Sequence, residues 1–390
     1  MAEIGKPYIS IDDLYIAYRK AKVDMFYERD HATALAFAQY ERHLVENLDK
    51  LYRRLTDLKA NWMVDPDFVG TYSYILKSID RSESHLRTTL ILSNADDAWK
   101  SQIATDYETP RAKFRVVGRH PVDFHVVSAL WIQKVGHKFD ALLGPHAYAS
   151  RVRRVPSKNE ENLGRPCATS LGSFRPYSFG FRDWRANGLK AMAEALKEGK
   201  PVLAITADLR SFYHEVSPDY LTSEIFRSQY GVSIGAAGLE FTDNFIRALR
   251  TWAVNVPEHR EMPHRGVPVG LSAPRLIANV ILHAFDKAII EELSPIYYGR
   301  YVDDVFLVLE NQKRLKTEEG VWEHIQERTR DIITIEDEEG EPAYVLAELD
   351  IAALREFQSL SLTPKKPEFK PKPDGFEIDP SRLVLPKFPG

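Results

Sequence analysis

The chain has 390 residues, of which 44% are hydrophobic and 28% charged, with a formal net charge of -4. Its length exceeds one ordinary domain and calls for two domains, or one large domain with subdomains. No apolar run approaches the roughly 18 residues of a membrane span, MAEIGKPYIS lacks a basic-then-apolar leader pattern, and the single cysteine, Cys167, can form no internal disulfide. The expectation is a soluble, globular, cytoplasmic protein with no membrane partner. Charge is spread unevenly: residues 100–200 hold 18 Lys and Arg against 9 Asp and Glu, and residues 310–350 hold 5 against 13. One face can therefore attract a polyanion although the whole chain is slightly acidic. A solvated surface explains any single basic cluster equally well.

In chain order, Ile11 to Tyr27 and His31 to Leu55 space their apolar residues by three and four, with Asp12 and Asp13 near a helix start. The first hundred residues thus read as helical. Arg111 to Arg119, RAKFRVVGR, alternates as a strand whose basic residues suit either phosphates or an exposed sheet face. Phe124 to Leu143 reads as a mostly buried helix. Pro201 to Ala207 is an apolar strand ending on Asp208, after which Ser217-Pro218-Asp219 opens a helix by N-cap and proline. Leu271 to Glu292 reads as one long apolar helix, and the acidic run Glu336 to Glu341 as a surface loop. Pro364 to Gly390 contains seven prolines and should be extended or loop. There is no internal repeat, and the mixture argues for an α+β chain.

The stretch GRYVDDVFLVLE, Gly299 to Glu310, sets Asp303 and Asp304 between β-forming residues. Alone, the pair reads as a hairpin turn, because aspartate bonds its own backbone and tolerates turn dihedrals. Asp208 changes that reading. A sheet that places it beside the hairpin gathers three carboxylates, which repel one another, are costly to desolvate and invite divalent cations. Two Mg²⁺ ions about 3.5–4 Å apart would then activate an attacking oxygen and stabilise a leaving oxygen in phosphoryl transfer. Other chemistries find no support: the twelve histidines form no H-E-x-x-H pattern, Cys167 has no metal-binding companion, and there is no Walker A or G-x-G-x-x-G loop. His214 reads as a packed or surface residue.

Three motifs in order resemble those of reverse transcriptases. Tyr301-Val-Asp-Asp304 resembles their YxDD motif, Ala207-Asp-Leu-Arg-Ser-Phe-Tyr213 their first palm motif, and Gly266 to Asn279 the intervening G-x-P-x-G and A-N segment. Tyr177 to Arg185 resembles the aromatic and arginine segment before the first palm motif, Phe114 to Arg119 a fingers strand, and Leu360 to Pro367 the late palm motif. The resemblance covers about residues 110 to 370. It implies right-hand polymerase fingers and palm: a helical N-terminal region (1–107) belonging to the fingers, fingers proper (108–200), palm (201–370) and a proline-rich tail (371–390).

The resemblance also implies roles. Asp208 and Asp303 would bind two Mg²⁺ ions, with Mn²⁺ as the alternative, Asp304 would be a weaker ligand, and the Leu209 carbonyl would complete the shell. Tyr213 would exclude a ribose 2′-hydroxyl and so favour dNTPs. Arg115 and Arg119 would hold the triphosphate, with Lys113 as the alternative, Gly270 would let backbone approach the nucleotide or template, and Lys366 would either protonate the departing pyrophosphate or be one more solvated lysine. The implied activity is RNA-directed or template-independent DNA synthesis, with an RNA template, a DNA product, dNTPs and a noncoding RNA or partner protein as partners. The helical N-terminus, Phe174-Arg-Pro-Tyr177 and the altered middle motif resemble most the bacterial abortive-infection and unknown-group lineages of phage defence.

Departures are visible. Val269 replaces a glutamine, Leu271 to Arg275 alter the positions after it, Thr363 and Pro367 depart from the late motif, and no thumb is recognisable. The rivals are a two-metal nuclease using the same carboxylates and an inactive polymerase-like RNA-binding scaffold. Tyr213 with the G-x-P-x-G segment speaks against the first, and retention of all three aspartates against the second.

Overall fold

The computed structural model describes residues 7–27, 33–57, 59–80, 111–156, 164–209, 212–260, 262–329, 332–336, 342–346 and 377–378. Three helices open the chain: α1 (Ile11–Phe26), α2 (Ala34–Glu41) and α3 (Leu44–Thr56). At the start of α1 the Asp13 amide donates to the Ser10 hydroxyl at 3.2 Å while the Ser10 amide donates to the Asp13 carboxylate at 2.9 Å, closing a capping box. Helix does not continue through the first hundred residues, as the sequence suggests. Thr71–Asp80 is a strand, β1, paired antiparallel with β2 (Arg111–Arg119) from Thr71↔Arg119 to Asp80↔Arg111. Its partner is remote in sequence, so no short turn announces it.

β2 leads into α4 (Val122–Trp131), in which every residue from Phe124 onward is buried. The single helix expected to Leu143 instead widens into a π turn, Ile132–Gly136, and closes with His137–Asp140. α5 (Tyr177–Lys197) precedes β3 (Val202–Asp208). Ser217 and Pro218 open only one 3-10 turn, Pro218–Leu221; the short helix Glu224–Gln229 and then α6 (Ala236–Val254) follow. The apolar stretch from Leu271 is broken as well: α7 (Ser272–Ile281) is followed by His283–Ala288 and a π turn, Ile289–Leu293, that stops at Ser294 with φ 46°. β4 (Tyr297–Tyr301), β5 (Asp304–Glu310) and α8 (Glu318–Arg328) follow. A second small sheet has the order β6 (Ile332–Glu336), β7 (Pro342–Leu346), β8 (Glu377–Ile378). Glu336 of the acidic run therefore ends a strand, and residues 337–341 lie outside the described residues, as does the proline-rich tail apart from Glu377 and Ile378. Helices with antiparallel sheets make the fold α+β. No helix among the described residues is long and apolar enough to cross a membrane.

The sheet β3-β5-β4 is covered on both faces. Because side chains alternate along a strand, Ile205, Val305 and Leu307 join the main core with α4, α6 and α7, whereas Ala204, Phe306 and Val308 pack with Trp184 of α5. α5 lies close: a Cβ on Gly188 would stand 2.2 Å from the Phe306 ring. It is also tied to β4, since the Trp184 indole donates to the Gly299 carbonyl at 3.0 Å and the Tyr297 hydroxyl to the Trp184 carbonyl at 2.7 Å.

The N-terminal helix is bound to the rest by buried polar groups. Lys20 Nζ donates to the Cys167 carbonyl (2.8 Å), the Ser170 hydroxyl (2.9 Å) and the Gly172 carbonyl (3.0 Å). Asp24 accepts from the Ser173 amide at 2.8 Å and from the Ser272 hydroxyl, at the start of α7, at 2.9 Å. Each satisfied bond avoids the penalty of an unpaired buried polar group.

Two histidines, His259 buried and His137 half-buried, make stability depend on pH. Burial, reinforced by Arg154, pulls His137 down to about 4, and burial with His214 does the same to His259. Both rings are neutral when folded and protonate more readily once unfolded. Their contribution is complete above the unfolded pKa of about 6.5 and is lost as pH falls towards about 4. The melting temperature should therefore drop from about pH 7 to about pH 4.5, and less steeply in His137→Gln; an equal slope in that variant would exclude His137 as a cause.

Candidate active site

The three acidic residues singled out in the sequence meet at one end of the sheet. β3 pairs with β5 from Val202↔Glu310 to Asp208↔Asp304, and β4 with β5 from Tyr297↔Val308 to Tyr301↔Asp304. Asp208, Asp304 and Tyr301 are thus neighbours across three strands. The turn itself is Val302–Asp303, so Asp304 is the first residue of β5 rather than part of the loop. Beyond Asp208 the Leu209 amide donates to the Asp303 carbonyl at 3.1 Å, which draws the turn onto the end of β3.

Val302 has φ 59°. A positive φ at the first central residue of a two-residue hairpin is the type II′ pattern, which glycine prefers. A β-branched residue there stores strain of about 1–3 kcal/mol, which the surroundings must overcome. Arg300 supplies the constraint. It is fully buried and makes a two-pronged pair with Asp286, Nε to Oδ1 at 2.5 Å and Nη2 to Oδ2 at 2.8 Å. Nη2 also donates to the Asn279 carbonyl at 2.8 Å, and Nη1 to the Asn279 side chain and, at 3.4 Å, to the Val302 carbonyl. Asp286 further accepts from the Tyr298 hydroxyl at 2.6 Å and stands 3.1 Å from His146 Nε2. Burial acts to raise the Asp286 pKa, but Arg300 and His146 outweigh it and hold the carboxyl below its usual range. Sequence reasoning missed this group; the available signal was a charge inside each of two apolar runs.

The other expected residues fall into two sets. Tyr213 lies in the short helix Phe212–Glu215, and its carbonyl accepts from the Val267 amide at 2.8 Å, while the Val216 carbonyl accepts from the Gly266 amide at 2.9 Å. Gly266 and Gly270 have φ 84° and 109°, conformations that favour glycine. The Val269 carbonyl between them accepts from the Gly118 amide of β2 at 2.8 Å, so that strand is joined to the segment holding Gly270. Arg119 Nε donates to the Ser73 hydroxyl at 2.8 Å, and Arg115 is exposed. His214 is half-buried and stands 3.2 Å from His259. For Lys113 and Asp208 the backbone is described and the side chain is not, and Lys366 lies outside the described residues.

Part of the basic excess is consumed inside the fold. Arg151 and Arg154 both pair with buried Asp140, at 3.3 and 3.1 Å, and Arg151 also donates to the Gly144, Ala147 and Leu143 carbonyls. Neither is placed to grip a phosphate from solvent.

Three aspartates stand at adjoining backbone positions, and a carboxylate is a hard oxygen donor of the kind that suits Mg²⁺. Among the described side chains no group of three or more His, Cys, Asp or Glu forms a metal cluster; Asp208 enters that description through its backbone alone. Removing Asp286 tests what supports the turn. Asp286→Ala leaves Arg300 buried and unpaired and should destabilise the fold by about 3–5 kcal/mol, read from denaturant unfolding; a loss below about 1 kcal/mol would show that the pair is dispensable.

The family model described as reverse transcriptase (RNA-dependent DNA polymerase) matches residues 157–333. That segment runs from before α5 to the start of β6 and contains Asp208, Tyr213, Gly270, Asp303 and Asp304. No curated protein matches the chain. With this match over residues 157–333, the chain is an enzyme, a nucleotidyltransferase of the DNA polymerase kind.

Proposed function

We propose that the chain adds deoxynucleotides to a nucleic-acid 3′ end by two-metal phosphoryl transfer. The observation that carries this reading is the register Asp208↔Asp304 beside the Val302–Asp303 turn, within the segment that matches reverse transcriptases. Asp208 and Asp303 would hold two Mg²⁺ ions, or Mn²⁺, with the Leu209 carbonyl and with Asp304 as the weaker ligand. Bound ions supply charge stabilisation to the attacking and leaving oxygens.

The chain's own residues position the nucleotide. The Val267 bond to the Tyr213 carbonyl fixes the backbone beneath the Tyr213 ring, which would fill the space of a 2′-hydroxyl. Gly270, free of a side chain, would let the backbone approach the sugar or base. Arg119, oriented by Ser73, is favoured over Arg115 and Lys113 for the triphosphate, and Lys366 would donate a proton to pyrophosphate. Pairing of β1 with β2 supports counting the N-terminal region 1–107 with fingers 108–200, ahead of palm 201–370 and tail 371–390. The helical N-terminus, Phe174-Arg-Pro-Tyr177 and Val269 support a place in the abortive-infection and unknown-group lineage, hence antiphage defence with a noncoding RNA or partner protein.

Purified protein with Mg²⁺ and labelled dNTPs, with and without RNA template and primer, should incorporate label, and Asp303→Ala should lower the rate at least about a hundredfold. Undiminished incorporation by Asp303→Ala would sink the assignment. Polymer formed without a template would select the template-independent form. In the same assay Tyr213→Ala should raise NTP use relative to dNTP use by about tenfold or more; an unchanged ratio would remove Tyr213 from sugar selection.

A further inference from the structure

The first turns of α5 leave aromatic rings in water next to the candidate site. Tyr177 is 63% and Phe181 41% exposed, and with Arg185 they form an i, i+4, i+8 row on one helix face. This row abuts the hairpin: the Phe181 ring meets Tyr301 edge-on with centroids 5.4 Å apart, and the Tyr301 hydroxyl donates to the Tyr177 carbonyl at 3.2 Å. Phe181 also leans on Trp184 at 5.6 Å, and the Arg185 guanidinium lies 5.9 Å from the Phe181 ring centroid. The Phe181 ring is thus supported from beneath, and both rings are exposed.

We propose that Tyr177, Phe181 and Arg185 form a stacking platform for the bases of a single-stranded nucleic acid passing the catalytic hairpin. Three observations favour this occupant. Burying large rings is the usual outcome of folding, yet two stand exposed in a row. Exposed Arg175 and Arg185 flank the row in sequence, and their charge matches a polyanion. The platform also adjoins Tyr301, whose neighbour across the sheet is Asp304, so a strand held here lies beside the aspartates. A ring face stacks on any base, so the platform reads no sequence and leaves DNA and RNA alike. The identity of the strand as template or product rests on the polymerase reading; the binding does not.

The test measures fluorescence anisotropy of labelled single-stranded oligo(dT) and oligo(rA) with the full chain, in EDTA and without dNTPs, so that turnover plays no part. Wild type should bind both. Tyr177→Ala/Phe181→Ala should weaken binding about tenfold or more with an unchanged salt slope, and Phe181→Trp should retain affinity where Phe181→Leu loses it. Arg185→Gln should lower the salt slope by about one. Melting temperatures would identify variants that merely misfold, and Phe181→Leu, which keeps an apolar contact with Trp184, separates stacking from packing. Unchanged affinity in the folded double variant, full affinity in Phe181→Leu, or ring-dependent self-association in place of strand binding would each overturn the platform. Incorporation of dNTPs together with ring-independent binding would sink the platform and leave the polymerase; ring-dependent binding with no incorporation would do the reverse.

Discussion

A guanidinium sealed from water sets the geometry of the end of the sheet that carries the three aspartates. Arg300 and Asp286 together satisfy almost every polar atom they bring into the interior, through Asn279, Tyr298, His146 and the Val302 carbonyl. Such pairs add little net stability relative to apolar packing, because desolvation opposes the attraction. What this one adds is uniqueness of arrangement. A slip of one residue along β4 would carry Arg300 to the α5 face of the sheet and leave Asp286 alone in the core. The register of β4 on β5, and through it that of β5 on β3, follows from this pair, and with the register comes the place of each aspartate.

A second constraint links regions far apart in sequence. Trp252 of α6 donates its indole to the Thr71 carbonyl at the start of β1, and Gly118 at the end of β2 donates to Val269. The two-stranded β1–β2 element is anchored at its base on both strands, next to the segment carrying Gly270. Displacement of that element would pull directly on the backbone beside Tyr213, because Val267 bonds the Tyr213 carbonyl.

Local signals were legible in the sequence. The capping residues of α1, the alternation of β2 and the apolar run of β3 ending on Asp208 each specify an element from neighbouring residues, and the structure has all three. Remote or collective effects were hidden. β1 looked helical because its partner is distant in the chain, and the run from Leu271 looked continuous because nothing in its apolar pattern marks the break after Ile281. Arg300 and Asp286 looked like ordinary charges, since their pairing exists only once β4 lies on the helix His283–Ala288. Arg151 and Arg154 illustrate the opposite error: they count towards a basic region in composition, yet Asp140 and backbone carbonyls occupy them. For the candidate site, motif order singled out the residues, while the backbone register alone brings Asp208 and Asp304 together.

The strand order β3-β5-β4 has a bearing on how the chain is made. β3 emerges from the ribosome long before β5, which is its one sheet neighbour among the described residues. Until residue 310 is synthesised, the strand ending in Asp208 has apolar side chains and an unmatched backbone edge, the kind of exposed segment that attracts wrong partners during folding. α5, synthesised just before it, can cover only the face carrying Val202 and Ala204. Assembly of the aspartate-bearing end is therefore a late event, and an incomplete chain holds the aspartate of β3 without the hairpin that pairs beside it.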